Sequence, residues 1–308
     1  IRDLVRSRGL GDVYKRQSHN KNSVKKLTGE DVQLWEANFG YSQNTHIIGV
    51  NQPLGQMYGY VTDGLYQVSD FDYDAATKTY TLKDGVPYAG EKGNVKPGMW
   101  KFKNIDGSKD NKITEADKTV IGNAYPKIYG GINNTFTYKD FDLSIFLTYS
   151  IGNDVFNATK LTNTKTALQN KNVLAVADSK HRWVLVNKAG DLITDPQEMA
   201  DINKGKTVAA IYDNEAGDTY IHSWAVEDGS FLKLSNITLG YTFPKKMIRK
   251  VGLSKLRLYA TGSNLLTWTK YSGFDPEVST MGNGLTPGVD FGAYPRSRAF
   301  VFGINLAF

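Results

Sequence analysis

The chain has 308 residues, of which 40% are hydrophobic and 22% are charged, and its formal net charge is +6. It contains no cysteine, which excludes a disulfide scaffold, a zinc ribbon and a cysteine nucleophile. No run approaches the roughly 18–20 apolar residues of a membrane-spanning helix, and the amino terminus lacks the apolar core of a secretory signal, whereas abundant Gly, Tyr and Phe favour β structure.

Residues 1–17 differ in composition from the rest of the chain. They hold five basic and two acidic residues, so half of the net charge lies there. A basic arm for nucleic acid or anionic lipid is one interpretation. The segment has no amphipathic period, however, and resembles a translated sequencing-adaptor remnant. We therefore predict that 1–17 is a non-native artefact, that 18–308 is native sequence with a truncated strand at 18–27, and that nucleic acid is not a partner.

Residues 106–117 have the spacing of an EF-hand loop, in which oxygen-bearing residues surround a calcium ion. The candidate ligands are Asp106, Ser108, Asp110, the Lys112 carbonyl, Thr114 and Asp117. Two features depart from the pattern, because Asn111 replaces the turn glycine and Asp117 replaces the bidentate glutamate. The alternative is an Asx-rich turn followed by a short helix that Thr114 caps. No cofactor is required, and any calcium would be structural.

The segment 129–150 predicts a β-hairpin. Apolar and polar residues alternate from Phe141 to Ser150, and alternate residues share a face only in a strand. A similar alternation precedes it at 129–138, and Lys139-Asp140 joins the two runs as a tight turn.

A second pair of strands is expected at 230–243 and from Leu256 to Leu265. In the first of these, Leu232 and Leu234 are out of phase with Ile237 and Leu239. A β-bulge at Ser235-Asn236 would restore a single apolar face.

The last segment, 299–308, alternates throughout. Its apolar face, which ends in an aromatic residue, resembles the insertion signal of bacterial outer-membrane barrels. The residues of this face are Phe300, Phe302, Ile304, Leu306 and Phe308.

The connections between these strands alternate in length. Short connections follow the strands at 129–138 and 230–243, whereas long ones follow those at 141–150 and 256–265. Short turns on one rim and long loops on the other are typical of a transmembrane β-barrel, with the short turns in the periplasm. Five complete strands cannot close a barrel, so further strands are expected elsewhere in the protein. The carboxyl terminus is then periplasmic. An aromatic girdle is predicted at the short-turn rim from Tyr138, Phe141, Tyr241, Phe243 and Phe308.

Several motifs in fixed order resemble one family. They lie at 56–68 (GQMYGYVTDGLYQ), 96–157, 229–248 (GSFLKLSNITLGYTFPKKMI), 256–278 (LRLYATGSNLLTWTKYSGFDPEV) and 294–308 (YPRSRAFVFGINLAF). Together they resemble the carboxyl-terminal third of the SusC/RagA family of TonB-linked outer-membrane transporters.

The resemblance implies an all-β fold, namely the carboxyl-terminal part of a 22-stranded antiparallel barrel with long extracellular loops, whose plug and TonB box lie upstream. It also implies import of oligosaccharides or peptides. The implied partners are a SusD-like surface lipoprotein, TonB, the barrel assembly machinery and the outer membrane.

Catalytic motifs are absent from the sequence, because the four histidines have no metal-binding spacing and no nucleophile motif is complete. We therefore predict a protein that is not an enzyme. Aromatic residues in the predicted extracellular loops are candidate contacts for a ligand or partner, with loop packing or an outer aromatic girdle as the alternative. They are Trp100, Trp268, Tyr271 and Phe274. Two other classes stay open: a secreted β-sandwich carbohydrate-binding module with a structural calcium site, and a β-rich hydrolase.

Overall fold

The structure, a computed structural model, describes residues 9–37, 43–164, 172–212, 220–280 and 284–308. The strands are β1 (Gly9–His19), β2 (Val32–Glu36), β3 (Asn44–Gly49), β4 (Gln56–Tyr60), β5 (Thr62–Leu65), β6 (Phe71–Asp74), β7 (Thr79–Leu82), β8 (Tyr88–Ala89), β9 (Trp100–Phe102), β10 (Lys112–Ile113), β11 (Lys118–Asn123), β12 (Ile128–Tyr138), β13 (Phe141–Ile151), β14 (Asp154–Asn157), β15 (Val226–Asp228), β16 (Phe231–Thr242), β17 (Lys255–Thr269), β18 (Val289–Asp290) and β19 (Ala299–Ala307). The helices are α1 (Ala158–Asn163), α2 (Pro196–Ile202) and α3 (Lys245–Ile248). None of these helices has the length and apolar content needed to cross a membrane.

Six strands form one antiparallel sheet, which we call the long sheet. Its order is β1-β12-β13-β16-β17-β19. The five complete strands expected from the alternation are all present, each extended or shortened by a few residues at its ends. The mostly β character of the prediction is therefore confirmed.

The predicted hairpin and bulge are both present. Lys139 has a positive φ of 53°, a conformation that two-residue hairpin turns require at their first central residue. In β16 the register with β17 shifts between Leu234 and Asn236, and the matching shift on β13 falls between Phe146 and Leu147. The bulged residue is therefore Ser235, and Leu234 and Ile237 reach the same face of the sheet, as predicted.

The position of the first strand corrects the prediction. The sequence predicts a truncated strand at 18–27, but β1 covers Gly9–His19 and pairs along its whole length with β12. Residues 20–27 contain no strand. Apolar and polar residues alternate only weakly in Gly9–His19, so the sequence pattern does not show where β1 begins and ends. The proposed non-native origin of 1–17 stays a prediction, because strand pairing does not report where a sequence comes from.

Three long insertions, 20–127, 152–230 and 270–298, leave the long sheet at the same end and pack together. We call them the loop domain. They form the small sheets β11-β4-β3-β2, β15-β14-β18, β5-β9, β6-β7 and β8-β10. Parallel pairing of β14 with β18 joins the second insertion to the third, and an isolated bridge between Tyr60 and His222 joins the first to the second.

The hydrophobic core lies almost entirely in the loop domain. One cluster surrounds Trp100, Phe102 and Trp183, and a second surrounds Phe156 and Leu161. Among the described residues, Phe231 is the only buried hydrophobic side chain of the long sheet.

Candidate functional site

One face of the long sheet is apolar and exposed. A row across the sheet consists of Phe136, Leu143, Leu239, Ala260 and Phe302, which stand opposite one another in the strand register. Neighbouring strands place paired residues on the same face, so each row continues the apolar surface. Phe302 is 80% exposed. A surface of this kind needs an apolar environment or a partner to cover it.

The opposite face of the sheet is polar. Arg257 binds Asp142 with two hydrogen bonds, 3.0 Å from Nε and 2.6 Å from Nη2. Thr238 and Thr261 form a hydroxyl pair at 2.9 Å. The sheet therefore has one apolar and one polar face, an alternation that is typical of the strands of outer-membrane barrels.

The aromatic residues of the predicted girdle lie together at the end of the sheet opposite the loop domain, which we call the short-turn rim. The ring centroids of Phe141 and Tyr241 are 4.7 Å apart, and those of Tyr241 and Phe243 are 4.9 Å apart. Tyr138 stands opposite Phe141 in the register. The last residue, Phe308, lies at the same rim, where its carbonyl accepts a hydrogen bond from Ser254.

At the other rim, two charge clusters fasten the third insertion. In the first, Glu227 accepts hydrogen bonds from the backbone and hydroxyl of Ser272, each 2.8 Å long, and pairs with Lys160 at 3.0 Å. The Lys160 ammonium also lies 4.1 Å from the centre of the Trp224 ring. Burial raises the pKa of Glu227, but the Ser272 hydrogen bonds and the Lys160 charge outweigh it and lower that pKa overall.

The second cluster surrounds Lys233, which projects from the polar face of β16 and is 3% exposed. Its ammonium contacts Glu277 and lies 3.4 Å from both carboxylate oxygens of Asp275. Arg296 approaches the same two carboxylates at 3.5 and 3.4 Å. Two basic and two acidic side chains thus neutralise one another where the insertion meets the sheet.

Phe274 lies between these two clusters in the chain. Ser272 is held by Glu227 and Asp275 by Lys233, so the backbone on both sides of Phe274 is fixed. Its side chain is 77% exposed and borders a cavity of about 250 Å³, which Leu174 and Val176 also line. An exposed aromatic ring on a fixed backbone is suited to contact a ligand or a partner.

The other three candidate aromatics have different environments. Trp100 is 6% exposed and packs against Trp224 with ring centroids 4.8 Å apart, so its proposed role in ligand contact is corrected to loop packing. Tyr271 is buried and donates a 2.5 Å hydrogen bond to Asp290, which corrects its role in the same way. Trp268 is exposed at the upper edge of the apolar face, opposite Leu232, where the alternative of an outer girdle fits.

The loop at 106–117 forms the Asx-rich turn of the alternative. Asp117 is fully buried, and its carboxylate accepts backbone N–H groups of Ile105 at 2.7 Å, Asp106 at 3.2 Å and Thr114 at 2.8 Å. Thr114 caps a single 3₁₀ turn, Glu115–Asp117, and Asn111 has a positive φ of 55°. Within the described ranges, no three His, Asp or Glu side chains are grouped to hold a metal ion. The arrangement does not gather the EF-hand carboxylates around one point, and calcium binding stays a prediction.

One buried histidine joins the first insertion to the third. His46 lies 2.9 Å from the Pro287 carbonyl and 2.9 Å from the Thr45 hydroxyl. Burial lowers its pKa to about 4, so the ring is neutral near pH 7. A neutral histidine that packs between loops has a structural role.

Neither charge cluster is apparent from the sequence. Charged residues are frequent throughout the chain, and nothing in their spacing shows that Lys233 meets Asp275 or that Glu227 meets Ser272. The one available signal is Lys233, the one charged residue of β16, which stands at a polar-face position.

Comparison with known proteins gives consistent matches. No protein-family model matches the chain. It is 30% identical over 298 residues to TonB-dependent receptor P3 of Formosa agariphila, a match that covers 94% of this chain and 26% of that protein. It is 28% identical over 206 residues to TonB-dependent receptor SusC of Bacteroides thetaiotaomicron, covering 66% of this chain and 17% of SusC.

Solved structures agree on the fold. The RagAB peptide transporter matches with a TM-score of 0.60 at 20% identity, over 98% of this chain and 27% of that one. The RagAB peptide importer in the 'open-open' state matches with a TM-score of 0.59 at 19% identity, over 97% of this chain and 27% of that one. The chain spans about a quarter of the length of the first curated relative. The chain belongs to the SusC/RagA family of TonB-dependent receptors.

Proposed function

We propose that the chain is the carboxyl-terminal barrel portion of an outer-membrane TonB-dependent receptor that takes up oligosaccharides or peptides and is not an enzyme. The observation that carries this proposal is the exposed apolar face of the long sheet, combined with three insertions that all leave it at one rim. The names of the relatives support uptake, and the RagAB structures are described as a peptide transporter.

The arrangement in the membrane follows from this proposal. The apolar face contacts lipid, the loop domain is extracellular, and the short-turn rim with the carboxyl terminus lies in the periplasm. Both outer strands of the long sheet, β1 and β19, have one unpaired edge among the described residues. Remaining strands of a 22-stranded barrel would pair with these edges, since unpaired backbone groups are costly in lipid. The barrel assembly machinery would insert the protein, with the apolar face of β19 as its signal.

The transport cycle would involve two partners. A SusD-like surface lipoprotein caps the loop domain and opens to admit the substrate. The loops and the plug of the whole receptor then capture it, and TonB, acting through the plug and its TonB box, drives release into the periplasm. Phe274 would contact the substrate or the lipoprotein, because it is the exposed aromatic residue that the two charge clusters fix in place.

The test uses the full-length receptor in cells that depend on the substrate. Phe274→Ala is expected to lower uptake or ligand affinity while the receptor remains in the outer membrane at its normal level. The matched control is Tyr294→Ala, which removes another highly exposed aromatic ring of the third insertion. If Phe274→Ala and Tyr294→Ala show equal uptake, the proposed contact between Phe274 and the substrate or lipoprotein is wrong.

The alternative of a secreted β-sandwich requires a second sheet over the apolar face, and the described residues place none there. A full-length protein that stays in solution without detergent would nevertheless overturn the barrel. Turnover of a glycan by the purified protein would favour the hydrolase instead.

A further inference from the structure

The connection between β16 and β17 carries a dense basic cluster at the short-turn rim. This connection, 243–254, contains α3 and then a 3₁₀ turn, Arg249–Val251, which Gly252 ends with a left-handed φ of 76°. We call residues 244–255 the basic turn. Its charged side chains are Lys245, Lys246, Arg249, Lys250 and Lys255.

The charge of the basic turn exceeds that of the anions at its rim, which include Asp140 and the terminal carboxylate of Phe308. All five basic side chains are exposed, and none of them belongs to an ion pair with any residue that the structure describes. The sequence from 243 to 255 contains no Asp or Glu. The adjacent hairpin adds Lys139 and Asp140, which leave the balance strongly positive. By contrast, Lys160 and Lys233 in the clusters at the opposite rim are paired.

The basic turn also presents apolar side chains. Ile248 is buried and anchors the turn, and the Leu253 N–H donates to the Ile248 carbonyl at 3.2 Å. Met247 and Val251 are 59% and 69% exposed. Immediately before the turn, Phe243 belongs to the aromatic girdle and donates its N–H to the Leu256 carbonyl at 2.9 Å. The turn is therefore held in a fixed position next to the girdle, with exposed apolar and basic groups side by side.

We propose that the basic turn binds anionic phospholipid headgroups in the leaflet that borders the short-turn rim. This inference rests on the proposed function, since it requires the long sheet to span a bilayer. Met247 and Val251 would enter the boundary between headgroups and acyl chains, and the five cations would neutralise lipid phosphates. A soluble acidic protein would satisfy the charges, but it would not account for exposed apolar residues beside a girdle that itself marks the membrane interface.

The test uses the full-length receptor in bilayers that contain phosphatidylcholine with trace spin-labelled phosphatidylglycerol or spin-labelled phosphatidylcholine. Electron spin resonance measures the relative association of each lipid with the protein. The wild type is expected to prefer phosphatidylglycerol on the order of fivefold, and added salt should reduce this preference. Replacing Lys245, Lys246, Arg249 and Lys250 together by Gln should bring the preference close to one.

A matched control replaces four exposed lysines of the loop domain by Gln, none of which has an ion pair with a described residue, namely Lys25, Lys26, Lys188 and Lys204. The phosphatidylglycerol preference should persist in this control. A second measurement uses the fluorescence of a tryptophan introduced by Met247→Trp. Brominated lipid should quench this added fluorescence, whereas a turn that faces only water would show no such quenching.

The outcomes separate this inference from the function on which it rests. A receptor that inserts into bilayers without a phosphatidylglycerol preference, or whose preference survives in the basic-turn variant, overturns the lipid-binding inference alone. A receptor that does not insert and remains soluble without detergent overturns the barrel and the lipid-binding inference together. An acidic protein partner would be indicated if the variant lost binding to that protein while its lipid association matched the wild type.

Discussion

In the loop domain, Trp100, Phe102 and Trp183 are at most 6% exposed, whereas Phe300, Phe302 and Ile304 of the long sheet are at least 64% exposed. The loop domain buries its apolar side chains against one another, as a water-soluble protein does. The long sheet exposes its apolar side chains on one face and has the Arg257–Asp142 ion pair and the Thr238–Thr261 hydroxyl pair on the other face. The loop domain therefore buries its apolar side chains, whereas the long sheet exposes them. The boundary between these two regions is the rim where the two charge clusters lie.

The largest expected effect comes from the loop-domain core. Trp100→Ala removes a buried ring and leaves a cavity, so it should destabilise the loop domain by about 3–5 kcal/mol. Phe302→Ala removes a ring of similar chemistry from the lipid face and should have a much smaller effect. Limited proteolysis of the full-length receptor in detergent would measure both, and equal protease sensitivity of the two variants would contradict the distinction between the regions.

The second test places a charge on each face of one strand. Phe302→Lys puts an ammonium on the lipid face and should cost up to about 2–4 kcal/mol, lowering the amount of receptor assembled in the outer membrane. Val301→Lys, one residue away, puts the same group on the polar face and should assemble nearly normally. The folded receptor in outer-membrane fractions can be quantified by its heat-modifiable mobility. If both variants assemble equally, the faces of β19 are wrongly assigned.

The third test concerns Asp117 and decides between the two accounts of its loop. Asp117→Asn weakens the hydrogen bonds from three backbone N–H groups, so it should lower loop-domain stability by roughly 1–3 kcal/mol. If the carboxylate serves the backbone alone, a chelator leaves the wild-type melting temperature unchanged. A chelator that lowers the melting temperature of the wild type to that of Asp117→Asn would instead establish the calcium site.

These regions also differ in how far the sequence predicts them. The long sheet follows from period-two alternation, a signal local to each strand, and even the bulge at Ser235 appears as a slip in that period. The loop domain depends on contacts between distant residues, such as His46 with Pro287 or Glu227 with Ser272, which no local pattern specifies. For the same reason, an aromatic residue in a predicted loop could be buried like Trp100 or exposed like Phe274, and sequence alone does not separate them.

The smallest expected effect is a pH dependence at the boundary between the two regions. The pKa of Glu227 is lowered in the folded state, so its ionised form stabilises the fold fully at pH values above the ordinary carboxylate pKa of about 4.3. This stabilisation is lost as the pH falls through the lower folded-state pKa. Thermal unfolding of the wild type and of Glu227→Gln, from about pH 7 to about pH 3, should show a wild-type advantage that shrinks toward the acidic end.

Glu30→Gln is the control for this measurement, because it neutralises an exposed glutamate without a described ion pair. That variant should parallel the wild type at every pH. The advantage of Glu227 is expected to be modest, since burial opposes its ionisation and offsets part of the stabilisation from Ser272 and Lys160. An advantage that instead grows on acidification would mean that Glu227 is protonated in the folded protein, and the third insertion would then be attached to the second by neutral hydrogen bonds and not by charge.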